Sequence, residues 1–123
     1  MLEAAYDDAQ GVTAEFNLNA LRHINEQLDA NFELGNFTHQ ATYNEDLGAV
    51  QMHLVSQCHQ QVEVASERFE FALGERLHTE NSFKYHTDEF IELAARAGFA
   101  IRDHWTDSKH WYNVFLLSVS ETT

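Results

Sequence analysis

The chain has 123 residues, 44% of them apolar and 12% aromatic, enough for one modest core and too apolar for intrinsic disorder. Seven Lys and Arg against 20 Asp and Glu leave a net charge of −13 with the histidines neutral, which argues against nucleic acid and anionic membranes as partners. No apolar run approaches the roughly 20 residues of a membrane span, and the acidic start MLEAAYDD is not a signal peptide.

The single Cys58 rules out an intrachain disulfide and suits a reducing compartment, so a soluble, cytoplasmic chain with a plain thiol is expected. There is no internal repeat, low-complexity tract or linker, and one domain over residues 1–123 is predicted.

The first element is a helix. Gly11 and Val12 precede Thr13, a capping candidate, and Glu15 lies where the helix dipole favours an anion. Leu18, Leu21, Ile24 and Leu28 then recur at helical spacing, giving an apolar face over about residues 14–30. Beyond it the period shortens to two. FTHQATY and AVQMHLVSQ read as strands joined by the turn formers of NEDLG. In the second of them Val50, Met52 and Leu54 share one face, with Gln51 and His53 on the other. Val62, Val64, Phe69 and Phe71 continue the alternation, which predicts an antiparallel meander over residues 36–77. A second helix follows in HTDEFIELAARAGF, with Thr87 as N-cap, Asp88 and Glu89 in its first turn and Gly98 as a left-handed C-terminal cap. Two strands close the chain, FAIRDHWTD and WYNVFLLSVS, joined by SKH. The predicted fold class is α+β, with two main helices.

Eight histidines raise the question of a metal, but no H-x-H, H-E-x-x-H or C-x-x-C spacing occurs, and none is expected. The glycines at 11, 35, 48, 74 and 98 are isolated, so no phosphate cradle is present, and no nucleophile elbow is found. The run HTENSFKY is more informative: with Leu77, Phe83 and Tyr85 so close to its polar residues, it suggests packed backbone that presents polar groups inward, as a small-molecule site is lined. Glu80 and Ser82 face the same way if the backbone is extended, while Asn81 points away. A carboxylate acceptor beside a hydroxyl that both donates and accepts suits an imidazole ring, which has a nitrogen for each. Lys84 shares that face, either ending the strand or standing in solvent. Met52 alternates with core residues and reads equally as core or as site wall; Tyr6, Thr13 and Phe16 are similarly open.

YDDAQGVTAEFNLNALRHIN, VQMHLVS and LHTENSFKY, in this order, resemble the C-terminal portion of the histidine-specific, S-adenosylmethionine-dependent N-alpha-methyltransferases of ergothioneine biosynthesis. The resemblance runs from about Tyr6 to the end. It implies an enzyme that methylates the α-amine of L-histidine to hercynine by direct displacement from S-adenosylmethionine, without a metal. On this resemblance Glu80 and Ser82 grip the imidazole, Met52 belongs to the pocket wall, and Tyr6 and Thr13 lie near the amino-acid end, with Phe16 a further candidate. Residues 1–86 would be a substrate lobe, and 87–123 the last helix and the strand hairpin of a class I methyltransferase sheet. Phe83 stands where the family's motif has a tyrosine. The glycine-rich cofactor segment is absent, so the chain alone is expected to be inactive, and apolar surface left uncovered is expected to drive homodimerisation. The alternatives are a non-catalytic amino-acid-binding module and an acidic protein-interaction domain.

Overall fold

The computed structural model describes residues 2–121, and among them the chain is α+β, with three α-helices and antiparallel sheets. It comprises two compact units, one ending at Lys84 and the other beginning at Tyr85.

The first unit contains α1 (Leu2–Tyr6), α2 (Val12–Gln27), a 3-10 turn (Leu34–Asn36), and strands β1 (Phe37–Asn44), β2 (Ala49–Ser56), β3 (Gln60–Val64), β4 (Glu67–Phe71) and β5 (Arg76–Phe83). The strands depart from the simple meander expected. β1, β2 and β5 form one sheet in that order, and β3 and β4 form a separate two-stranded sheet. The turn between β3 and β4, Ala65–Ser66, has positive φ at both residues, the geometry that folds a hairpin straight back on itself. The hairpin thus closes locally. Backbone bonds from Gly74 N–H to the Ser56 carbonyl (2.8 Å) and from Ser56 N–H to the Glu75 carbonyl (2.9 Å) then lead the chain to the free edge of β2.

Helix α2 starts earlier than its apolar pattern indicates and ends before Leu28, which is half exposed. Thr13 is not its cap. It lies in the first turn, and the Asp8 carboxylate accepts from its N–H (3.2 Å) and from that of Val12 (3.4 Å). Those amide bonds, that of Thr13 foremost, hold the Asp8 carboxyl below its ordinary pKa. The inner face of α2 carries Leu18, Leu21 and Ile24 onto Phe32, Phe37, Leu54 and Val62, the centre of the core. Phe32, Phe37 and Phe71 meet there edge-on or tilted, with centroids 5.5–6.2 Å apart.

The second unit contains α3 (Thr87–Arg96), β6 (Phe99–Thr106) and β7 (Asn113–Val119). The cap position of α3 is His86, one residue before the expected Thr87, and Gly98 at φ +89° ends it as its sequence predicts. β7 begins at Asn113 rather than Trp111 because Asp107 draws the loop in, its carboxylate accepting from the N–H groups of Trp111 (2.7 Å) and Tyr112 (3.0 Å). Ala94 is the one buried apolar residue of this unit among those described.

Candidate functional site

The site is built on the β2–β5 pair. Residues directly opposite on antiparallel strands share a face. Leu77 lies opposite Leu54, Glu80 opposite Met52 and Ser82 opposite Val50. Simple alternation cannot put Leu77 and Glu80 on one side, since three positions separate them. A β-bulge resolves this: β5 uses His78, Thr79 and Glu80 where β2 uses only His53 and Met52. The Thr79 hydroxyl secures the irregularity by donating to the Met52 carbonyl (3.1 Å). The bulge therefore turns Glu80 and Ser82 to the side of Met52. Asn81 takes the other face, where its side chain accepts from Gln51 (3.4 Å).

Above this strand pair, α1 and the start of α2 complete a cleft of about 230 Å³ lined by Ala5, Tyr6, Val12, Thr13, Phe16, Met52 and Glu80. Tyr6, Thr13, Met52 and Glu80, all named from the sequence, meet here, and Phe16 joins them although it is 68% exposed. Met52 is 2% exposed, so it is both core and wall. Glu80 is exposed, contrary to the packed, inward-facing run its sequence suggests, and its carboxylate has no hydrogen-bond or ion-pair partner among the described residues. A larger groove of about 410 Å³ runs along α2 past Glu15, Asn19, Arg22 and Leu34 and shares Val12 and Phe16 with the cleft. It lacks the convergent strand residues, and the smaller cleft is the better candidate.

Ser82 borders the cleft through Tyr6. The Tyr6 hydroxyl and Ser82 Oγ are hydrogen-bonded at 2.9 Å. Lys84 is not in open solvent. Its ammonium donates to Ser82 Oγ (2.9 Å) and to the Tyr6 hydroxyl, and it stands 4.6 Å from the centroid of the Tyr6 ring. The hydrogen bond from Lys84, then the one shared with Ser82, lowers the Tyr6 pKa below the ordinary phenol value.

Behind the cleft lies a buried polar network. Asn17 is 2% exposed and donates to the His53 carbonyl (3.2 Å), a group that can only accept. This fixes its amide, so the same nitrogen donates to His39 Nδ1 (2.9 Å) and His39 Nε2–H in turn donates to the Tyr6 carbonyl (2.6 Å). One chain of bonds thus links α2, β1, β2 and the end of α1. Asn17 has a sequence signal, a polar residue four before Leu21 and seven before Ile24 on the apolar stripe. His53 was expected opposite the core face, and it lies there yet is buried. Its ring stacks on His78 at 4.8 Å and its Nε2 is 3.2 Å from Arg76.

Among the described residues, no group of three or more His, Cys, Asp or Glu is placed to hold a metal ion, and no helix is long and apolar enough to cross a membrane. His53 and His78 stack as a pair, while His59 lies near Glu70 and His86 near Glu89 on the surface.

The family model described as histidine-specific, SAM-dependent methyltransferase matches residues 1–119. A histidine N-alpha-methyltransferase of Mycolicibacterium smegmatis (strain ATCC 700084 / mc(2)155) is 42% identical over 108 residues, covering 86% of this chain and 34% of that protein. Another from Mycobacterium tuberculosis (strain CDC 1551 / Oshkosh) is 39% identical over 109 residues, with the same two coverages of 86% and 34%. The chain spans about a third of the length of these relatives. With the match extending over both units, the chain belongs to the histidine-specific, SAM-dependent methyltransferase family.

Proposed function

We propose that this chain is the substrate-binding, C-terminal part of an enzyme that transfers methyl groups to the α-amine of L-histidine, forming hercynine for ergothioneine synthesis. The observation that carries the reading is the meeting of Glu80, Met52, Tyr6 and Thr13 around one cleft, with Ser82 joined to it through Tyr6. Glu80 accepts a ring N–H, the Ser82 hydroxyl serves the other ring nitrogen, Met52 lies against the ring, and Tyr6 and Thr13 border the amino-acid end. Among the described residues the Glu80 carboxylate has no partner, so binding an imidazole gives it one without breaking a bond seen there. A ligand lacking that N–H would cover the carboxylate and leave it unpaired, which disfavours it.

The described residues do not themselves suit S-adenosylmethionine. Helix α2 opens after Gly11, but it follows α1 rather than a strand, and no glycine-rich turn precedes any helix. We therefore assign the cofactor to a further segment of the intact enzyme, with the substrate lobe in residues 1–86. Residues 87–123, a helix followed by an antiparallel hairpin, would form the end of a class I methyltransferase sheet. The chain's own task is to bind and orient histidine, and no covalent nucleophile is asked of it. A homodimer covering its exposed apolar surface is part of the same proposal.

Calorimetric titration of the intact enzyme with L-histidine tests the reading, with L-tryptophan as control. Glu80→Ala is expected to weaken histidine by about 10- to 150-fold, as for loss of a hydrogen bond to a charged group. Wild-type affinity in that variant would overturn the ring assignment.

A further inference from the structure

Lys84 has an unusual position in so acidic a chain. There are 20 carboxylate side chains for seven Lys and Arg, yet among the described residues the Lys84 ammonium forms no ion pair. It is partly buried, and its protein partners are two hydroxyls, those of Tyr6 and Ser82. Neither neutralises it. An ammonium has three N–H donors, so one remains for an acceptor from outside the protein.

Its backbone position is fixed. The Lys84 N–H donates to the Gly48 carbonyl (2.8 Å), and Gly48, at φ +68°, ends the turn leading into β2. Glu80 and Ser82 of β5 and Lys84, just past its end, therefore succeed one another as anion, neutral hydroxyl and cation, their backbone positions about 6–7 Å apart at each step, with the Lys84 ammonium 2.9 Å from Ser82 Oγ. This gradient matches an amino acid whose ring N–H points to Glu80 and whose carboxylate points the other way.

We propose that Lys84 is a specificity-determining residue that recognises the α-carboxylate of the amino-acid ligand, acting through its free N–H. This rests on the histidine-binding reading above. Tyr6 gives its proton to Ser82 Oγ, which frees the Ser82 proton for the ligand ring, and the third N–H of Lys84 is left for the carboxylate. The lowered pKa of Tyr6, caused first by Lys84, reflects the same positive field at the cleft edge. The groups facing this ammonium are Tyr6 from α1 and Ser82 near the end of β5, with Glu80 further back along that strand.

The test compares L-histidine with histamine, which keeps the ring and amine and lacks the carboxylate, by calorimetry on the intact enzyme. Wild type is expected to prefer histidine by about 10- to 100-fold. Lys84→Met should narrow that preference to about threefold or less, with histamine affinity nearly unchanged, and Lys84→Arg should restore most of it. A merely structural lysine would weaken both ligands alike. That result, or an unchanged preference in Lys84→Met, overturns the inference and leaves the imidazole reading standing. A wild-type preference near one overturns it without any variant. Failure of wild type to bind either ligand overturns the functional reading and this inference together.

Discussion

His53 is 5% exposed, and its Nδ1 has no hydrogen-bond partner among the described residues. Burial first, then the charges of Arg76 and His78, hold its pKa below the ordinary value. Such a histidine holds its proton less readily in the fold than in the unfolded chain, where it titrates near 6.5. The unfolded state then binds more protons below that value, so its contribution to stability is intact above about pH 6.5 and declines as pH falls towards the lowered native value. Urea midpoints should drop between pH 7.5 and 5.5, and His53→Gln should flatten the drop; an equally steep fall in the variant would show that other groups cause it. At this scale the sequence is only partly legible. Glu80 and Ser82 can be found from two positions of strand spacing, because a carboxylate and a hydroxyl two apart must share a side. Lys84, His39 and Thr79 cannot be assigned in that way. Their roles depend on Tyr6 and Met52, which lie at least 27 residues away in the chain.

The elements differ in how well local pattern predicts them. α2 and α3 follow from their apolar stripes, and the errors are confined to their ends, where Asp8 and His86 occupy roles assigned to threonines. The strand runs are also recognisable, but the order β1–β2–β5 is not. Alternation identifies a strand and its two faces without naming its neighbour. The bulge had no local signal either, since LHTENSF could keep a regular period in isolation. Packing of α2 on the sheet determines whether Thr13 and Phe16 reach the cleft, and Leu21, 1% exposed, is the centre of that contact. Leu21→Ala is expected to cost about 2–5 kcal/mol through lost burial and the cavity left behind. Urea unfolding measures it, and a loss below 1 kcal/mol would mean that the helix can settle into the gap.

Over the whole molecule, buried residues are unevenly distributed. The unit ending at Lys84 holds Leu21, Phe37, Val50, Leu54 and Val62 in its interior, whereas the unit beginning at Tyr85 contributes Ala94. That second unit exposes Trp105, Trp111, Tyr112, Leu116 and Val119. Local stability follows buried apolar contact. Hydrogen exchange should therefore be faster in β6 and β7 than in β1 and β2, and equal protection would show that the exposed apolar groups are covered in solution, as a dimer would do. The bulge on β5 has its own consequence at this scale, for comparison across the family. His78 and Glu80 already face consecutive residues of β2, so a homologue one residue shorter here keeps every cross-strand pair if Thr79 is the residue it lacks. An alignment that opens its gap at 79 preserves the equivalence of the ligand-facing positions. One that opens it three residues later matches Glu80 to the residue after its counterpart, and would make a conserved specificity look like a change of substrate.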